Sequence, residues 1–178
     1  MSETKAPRTR QEPNPASESW RKLPWRKFEQ QVYRLQKRIF RASQHGNTQA
    51  VHTLQKLLMK SRAARLLAVR RVTQDNQGKN TAGVDGVKAV PPTQRLVLAK
   101  RIHPKQWEDT KPRPVRRVWI PNPGKVEKRP LGIPVMLDRA HQCLIKLALE
   151  PEWEARFEPN SYGCAPRPLR PGCQRSHL

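Results

Sequence analysis

Lys128-Arg129-Pro130-Leu131-Gly132-Ile133-Pro134, running straight into Val135-Met136-Leu137-Asp138-Arg139-Ala140, carries the change of periodicity that decides the fold class. Just upstream, Val115, Arg117 and Trp119 alternate with Arg116, Val118 and Ile120, the period-two pattern of a strand rich in β-branched residues. Asn122-Pro123-Gly124-Lys125 has turn chemistry, so residues 129–133 return as a second strand and close a β-hairpin. Beyond Pro134 the apolar residues Met136, Ala140, Cys143, Leu144 and Leu147 fall at helical spacing. That helix is expected to run to Glu150 and halt at Pro151, which lacks the N–H that continues a helix.

Toward the N-terminus, Phe28, Val32, Leu35 and Ile39 fall four, three and four apart, one face of a helix that His45-Gly46-Asn47 stops. Val51, Leu54 and Leu58 mark a second helix and Ala64, Leu67, Ala68 and Val72 a third, meeting near Ser61 as N-cap. Residues 76–80 and 83–86 are loops in which Gly and Asn accept positive φ and Asp closes a turn through its side chain. A further short helix is expected over 93–101. Residues 1–18 hold no large apolar residue after Met1 and are expected to be a disordered leader. The fold class is α+β, mainly helical: an N-terminal helical layer, a hairpin and one long helix.

Only 35% of the 178 residues are hydrophobic and 18 are proline, so the core must be small. The net charge of +22, from 36 Lys and Arg against 14 Asp and Glu, predicts attraction to a polyanion, RNA or DNA first and an anionic membrane surface second. No apolar run approaches a membrane span and the first twenty residues lack a signal-peptide core, which reads as cytoplasmic. Cys143, Cys164 and Cys173 give no disulfide framework, and Cys164, Cys173 and His177 lack the close cysteine pair and fourth ligand of structural zinc, so no metal is expected. His45, His52, His103, His141 and His177 stand alone, as surface or capping residues. Gly78, Gly83 and Gly86 do not make a phosphate-binding loop of the Gly-x4-Gly-Lys type.

The motifs occur in an order that resembles group II intron-encoded reverse transcriptase/maturases. They are Val32-Tyr33-Arg34-Leu35-Gln36-Lys37-Arg38-Ile39, Leu54-Gln55-Lys56-Leu57-Leu58, Leu66 to Thr73, Thr81-Ala82-Gly83-Val84-Asp85-Gly86, Arg113 to Pro121, the 128–140 run, Leu149 to Ala155 and Ser161-Tyr162-Gly163. The resemblance implies an N-terminal region at 19–90 and a partial fingers region at 91–163, an incomplete reverse transcriptase fold. In that family the polymerase site lies in the palm, where one aspartate and an Asp-Asp pair hold two metal ions. This sequence has no Asp-Asp pair, and Asp75, Asp85, Asp109 and Asp138 stand singly. The chain alone is therefore expected to be no enzyme and to need no cofactor, although the full-length family would use Mg²⁺. Residues 164–178 depart from the family pattern, and a Pro-, Arg- and Cys-rich tract of this kind is expected of out-of-frame translation, giving an unstructured tail. The same resemblance implies that the helix carrying Ala140, Leu144 and Leu147 exposes a face that a palm would cover.

Two basic regions are the candidate RNA and phosphate sites. Residues 28–72 hold ten Lys and Arg against Glu29 alone, and Arg34, Lys37, Arg38, Arg41, Lys56, Lys60, Arg70 and Arg71 are assigned to RNA as a group. Residues 100–130 hold ten basic residues against three acidic, with Arg116, Arg117, Lys125, Lys128 and Arg129 on the hairpin. The resemblance places Arg129 at the position of a triphosphate-contacting arginine, whereas Asn122 stands where the family has lysine. Trp119, beside Arg117 and the turn, is the candidate for base stacking, and the other tryptophans are expected as core anchors. The expected function is a truncated reverse transcriptase/maturase fragment that retains RNA binding, with intron RNA as partner and neither membrane nor small-molecule substrate. A small basic RNA-binding or RNA-chaperone protein, or a mobile-element relic, stays open as an alternative.

Overall fold

A computed structural model of the chain describes residues 19–107, 113–124 and 126–157. Helices α1 (Trp25–Gln44), α2 (Thr48–Lys60) and α3 (Arg62–Arg70) form the expected layer, and α3 runs on into a π-helical turn, Arg71–Asp75, and a 3-10 turn, Gln77–Asn80. There follow α4 (Pro92–Arg101), a 3-10 turn at Pro104–Gln106, strands β1 (Arg116–Pro121) and β2 (Lys128–Ile133), and the long helix α5 (Met136–Arg156). The strands pair antiparallel as a hairpin. The class is α+β and mainly helical, as the switch of period at Pro134 predicts.

The chain connections follow from local chemistry. Gly46 turns the backbone at φ +67, a value costly for any residue with a Cβ, and Asn47 then caps α2 by accepting from the Ala50 N–H at 3.0 Å. Ser61 does stand between α2 and α3, yet its hydroxyl makes no capping bond; its own N–H closes α2 on Leu57 and Leu58 instead.

One hydrophobic core runs from Trp20 to Ala148. Val32 and Ile39 of α1, Val51, Leu54 and Leu58 of α2, and Ala64, Leu67 and Ala68 of α3 enclose Ala140, Leu144, Leu147 and Ala148 of α5. Each fully buried Leu of this set contributes about 1.5–3 kcal/mol. The expectation that this helix exposes the face of Ala140, Leu144 and Leu147 or their neighbours is thus corrected for the three named residues: they are 0%, 0% and 1% exposed, because the chain's own helical layer covers them. The exposed large apolar residues here are Leu149 and Trp153 of α5 and Phe157 just after its end.

The second correction is Pro151. It lies inside α5, which continues to Arg156. The missing N–H at 151 frees the Leu147 carbonyl, four residues back, and the side chain of Gln36 on α1 donates to that carbonyl at 2.9 Å in the buried interior. One turn on, the buried Glu152 carboxylate accepts from Gln55 Nε2 at 2.7 Å and pairs with Arg156 at 2.7 Å, while the Ser43 hydroxyl donates to the Glu152 carbonyl at 3.1 Å. Polar groups from α1 and α2 thereby satisfy the stretch of α5 that a proline would otherwise disrupt.

Arg139 fixes the loop after α3. Its guanidinium donates to the carbonyls of Pro134 at 2.8 Å, Gly78 at 2.7 Å and Thr81 at 2.7 Å. Beside it Gly83 lies so close to the backbone between the hairpin and α5 that an added Cβ would stand 2.9 Å from Val135 Cα. Asp85 closes its turn as predicted, its Oδ1 accepting from Val87 N, and Asn76 Oδ1 accepts from Gly78 N; of the Gly and Asn residues in 76–80 and 83–86, only Gly86 takes positive φ, at +71.

Candidate nucleic-acid interface

Arg34, Lys37, Arg38 and Arg41 lie at i, i+3, i+4 and i+7 of α1, so helical geometry places them in one stripe opposite the buried Val32, Gln36 and Ile39. All four are exposed, as are Lys56 and Lys60 of α2. Among the described residues, no acidic side chain pairs with any of the six; Lys37 lies over the Tyr33 ring at 5.6 Å. A groove of about 430 Å³ between α1 and the α2–α3 junction brings Arg34 and Lys60 together over an apolar floor of Leu35 and Leu57.

Arg70 has other engagements. It pairs with Glu29 at 3.2 Å, lies 3.8 Å from Asp75 and covers the Trp25 ring at 4.9 Å. Its charge is already largely compensated, unlike that of the α1 stripe. Arg71, one residue on, is exposed on the π-helical turn while Val72 and Thr73 go inward.

The hairpin register separates its cations. Arg117 opposes Gly132, Trp119 opposes Pro130 and Pro121 opposes Lys128, which sets Arg117, Trp119, Lys128 and Pro130 on one face. Arg116, Val118, Ile120, Arg129, Leu131 and Ile133 occupy the other, where Ile133 is buried and Val118 and Ile120 are half-buried. Trp119 is 55% exposed, an aromatic surface flanked by two cations. Lys125 lies outside the described residues, as do Cys164, Cys173 and His177.

The other tryptophans divide. Trp20 is buried and donates to Gln74 Oε1 at 2.9 Å, while Trp25 and Trp107 are half-buried; Trp153 is 48% exposed and no core anchor. His103 caps the 3-10 turn by accepting from the Lys105 N–H at 3.1 Å, as a capping role predicts. His141 is neither surface nor cap: it packs edge-on to Trp107 with ring centroids 5.3 Å apart, and burial holds its imidazole below the usual range against the opposing pull of Asp138. Among the described residues no His, Cys, Asp and Glu cluster could hold a metal ion. No helix among them is long and apolar enough to cross a membrane.

The sequence alone does not single out Gln36, Arg139, Lys146 and Glu152, although Gln36, Arg139 and Glu152 lie within its motif runs. A glutamine on a buried helical face and a glutamate next to a mid-helix proline were the available signals.

The sequence matches the N-terminal domain of reverse transcriptase over residues 20–102. It is 36% identical over 141 residues to Maturase-like protein 1 of Euglena gracilis, which covers 78% of this chain and 30% of that protein. Protein YkfC of Escherichia coli is 39% identical over 104 residues, 57% of this chain and 27% of its own length. The group II intron-encoded protein LtrA of Lactococcus lactis is 39% identical over 56 residues, 32% of this chain and 9% of its own. The chain thus spans under a third of the relatives it matches. With the helical layer, the hairpin and the motif order in agreement, residues 20–102 form a reverse transcriptase N-terminal domain, and the chain is similar to the N-terminal part of group II intron reverse transcriptase/maturases.

Proposed function

We propose that this chain binds RNA, in the cytoplasm, as the RNA-gripping N-terminal portion of a group II intron reverse transcriptase/maturase, with a structured intron RNA as its partner and no nucleotidyl transfer of its own. The observation that carries this reading is the stripe Arg34, Lys37, Arg38 and Arg41 with Lys56 and Lys60 beside it, exposed and without acidic partners among the described residues. Such a field is relieved by counterions or by RNA phosphates, and the release of the cations condensed on the RNA when Lys and Arg neutralise those phosphates is the main source of phosphate-backbone affinity. On the hairpin, Arg117 and Lys128 contact phosphate while Trp119 offers its face to an unpaired base; Arg116 and Arg129 serve as cations of the opposite face.

The competing reading is a basic RNA-binding or chaperone protein that recognises no particular RNA. Fluorescence anisotropy with a folded group II intron RNA and an unstructured RNA of equal length, over a salt series, separates the two. Retained preference for the intron RNA at moderate salt supports the maturase reading. Equal affinities that collapse together as salt rises would replace it with the generic one.

A further inference from the structure

Between the π-helical turn and α5 lies a pocket of about 510 Å³ whose walls include Arg71, Asp75, Asn76, Arg139, Cys143 and Lys146. Three cations face one carboxylate. Asp75 is also 3.8 Å from Arg70, and Lys146 reaches Glu150 only at 3.9 Å with its side chain more than half exposed. Arg139 spends three donors on carbonyls, which satisfy its hydrogen bonds without cancelling its charge. Arg71 has no acidic partner among the described residues. Burial pushes the Cys143 thiol up; Arg71 and Lys146 pull it back, and the Glu150 carboxylate beside Lys146 pushes it up again, so the thiol senses both cations. The turn that presents Arg71 is π-helical, a rare widening of the helix that recurs at ligand sites.

Resting on the RNA-binding reading, we infer that this pocket seats a backbone phosphate of the bound RNA, held by Arg71 and Lys146 over the fixed charge of Arg139. Asp75 on the wall selects the ligand class. A phosphodiester brings one negative charge and tolerates a carboxylate neighbour better than free phosphate, part of which is dianionic at neutral pH. Arg71 and Lys146 sit on separate elements, so they approach one phosphate from two sides. The site is separate from the α1 stripe and from the hairpin, and adds a third point of contact on the chain.

Cys143 supplies the readout. In the full chain carrying Cys164→Ser and Cys173→Ser, the rate of modification of Cys143 by methyl methanethiosulfonate is measured free, with RNA, and with inorganic phosphate at matched ionic strength. With RNA tenfold above its Kd, the expected slowing is about tenfold. Arg71→Gln with Lys146→Gln should abolish that protection and lower the slope of log affinity against log salt by about 1.4–1.8 units, two contacts' worth, while the melting temperature stays unchanged. Arg71→Lys with Lys146→Arg, which keeps both charges, should restore protection. If RNA binds and Cys143 reacts at its free rate, or the Gln variant stays protected, the seat is overturned while RNA binding stands. Protection by inorganic phosphate alone overturns the RNA assignment in favour of a small anion. If no RNA binds at all, both readings fall.

Discussion

Gln36 and Pro151 answer one another across the core. Gln36 donates to the carbonyl that Pro151 leaves bare, so Gln36→Leu strands a buried acceptor and should lower the unfolding free energy by about 1–3 kcal/mol in urea titration. Pro151→Ala returns a helical N–H to that carbonyl, and in its background the same Gln36→Leu change should cost about 1 kcal/mol less. Equal costs in both backgrounds would show that the amide is not replacing the helix bond. His141 makes a second residue-level test. Its folded pKa lies below the ordinary 6.5 because it is buried, so the unfolded chain takes up a proton first as pH falls. Stability tied to His141 is therefore full above pH 6.5 and declines as pH drops through the lower folded value. The melting temperature should fall between pH 7.5 and pH 5.0, and His141→Phe, which keeps a ring against Trp107, should shrink that fall. An unchanged fall would trace the acid sensitivity elsewhere.

At the scale of the element, the period-two run and the turn at 122–125 specify a hairpin, and the register then divides cations that are adjacent in sequence. Trp119→Ala should weaken binding of a single-stranded oligonucleotide by about 1–3 kcal/mol and leave duplex binding nearly unchanged. Neutralising Arg117 and Lys128 should flatten the salt dependence more than neutralising Arg116 and Arg129, whose face also carries the partly covered Val118 and Ile120. Equal effects from the two pairs would mean that the hairpin meets RNA edge-on. The helices were legible because Phe28, Val32, Leu35 and Ile39, and their counterparts further on, repeat every three or four residues. The C-terminal end of α5 was not, because Pro151 is a local stop signal and its remedy sits on a glutamine more than a hundred positions away. Likewise, a run of basic residues reads as one patch in sequence, and only the folded backbone shows Arg70 turned onto Glu29 and Trp25 while Arg34 shares a groove with Lys60.

Across the whole molecule, one small core must hold together a chain with a net charge of +22. Glu152, the buried acid, and Glu29 are spent on internal partners, so most of the positive field is directed outward. The carboxylates that remain are dispersed. Asp75, Asp85 and Asp138 lie on a π-helical turn, a loop and the first turn of α5, and no adjacent pair exists in the sequence. Purified chain supplied with Mg²⁺, a primer on an RNA template and deoxynucleotides should extend no primer, as read on a denaturing gel. Extension that persists after contaminating polymerases are excluded would defeat that expectation.

The mid-helix proline also works as a ruler mark. An uninterrupted α5 would show α1 a uniform row of satisfied carbonyls, and the two helices could slide past one another by a turn, 5.4 Å, at little polar cost. Pro151 leaves a single notch in that row, and Gln36 is the tooth that fits it. Displaced by one turn, the tooth meets a carbonyl already bonded and the notch stays empty, two buried penalties at once. The residue that weakens α5 as a helix is thus the one that gives its packing against α1 a single axial address.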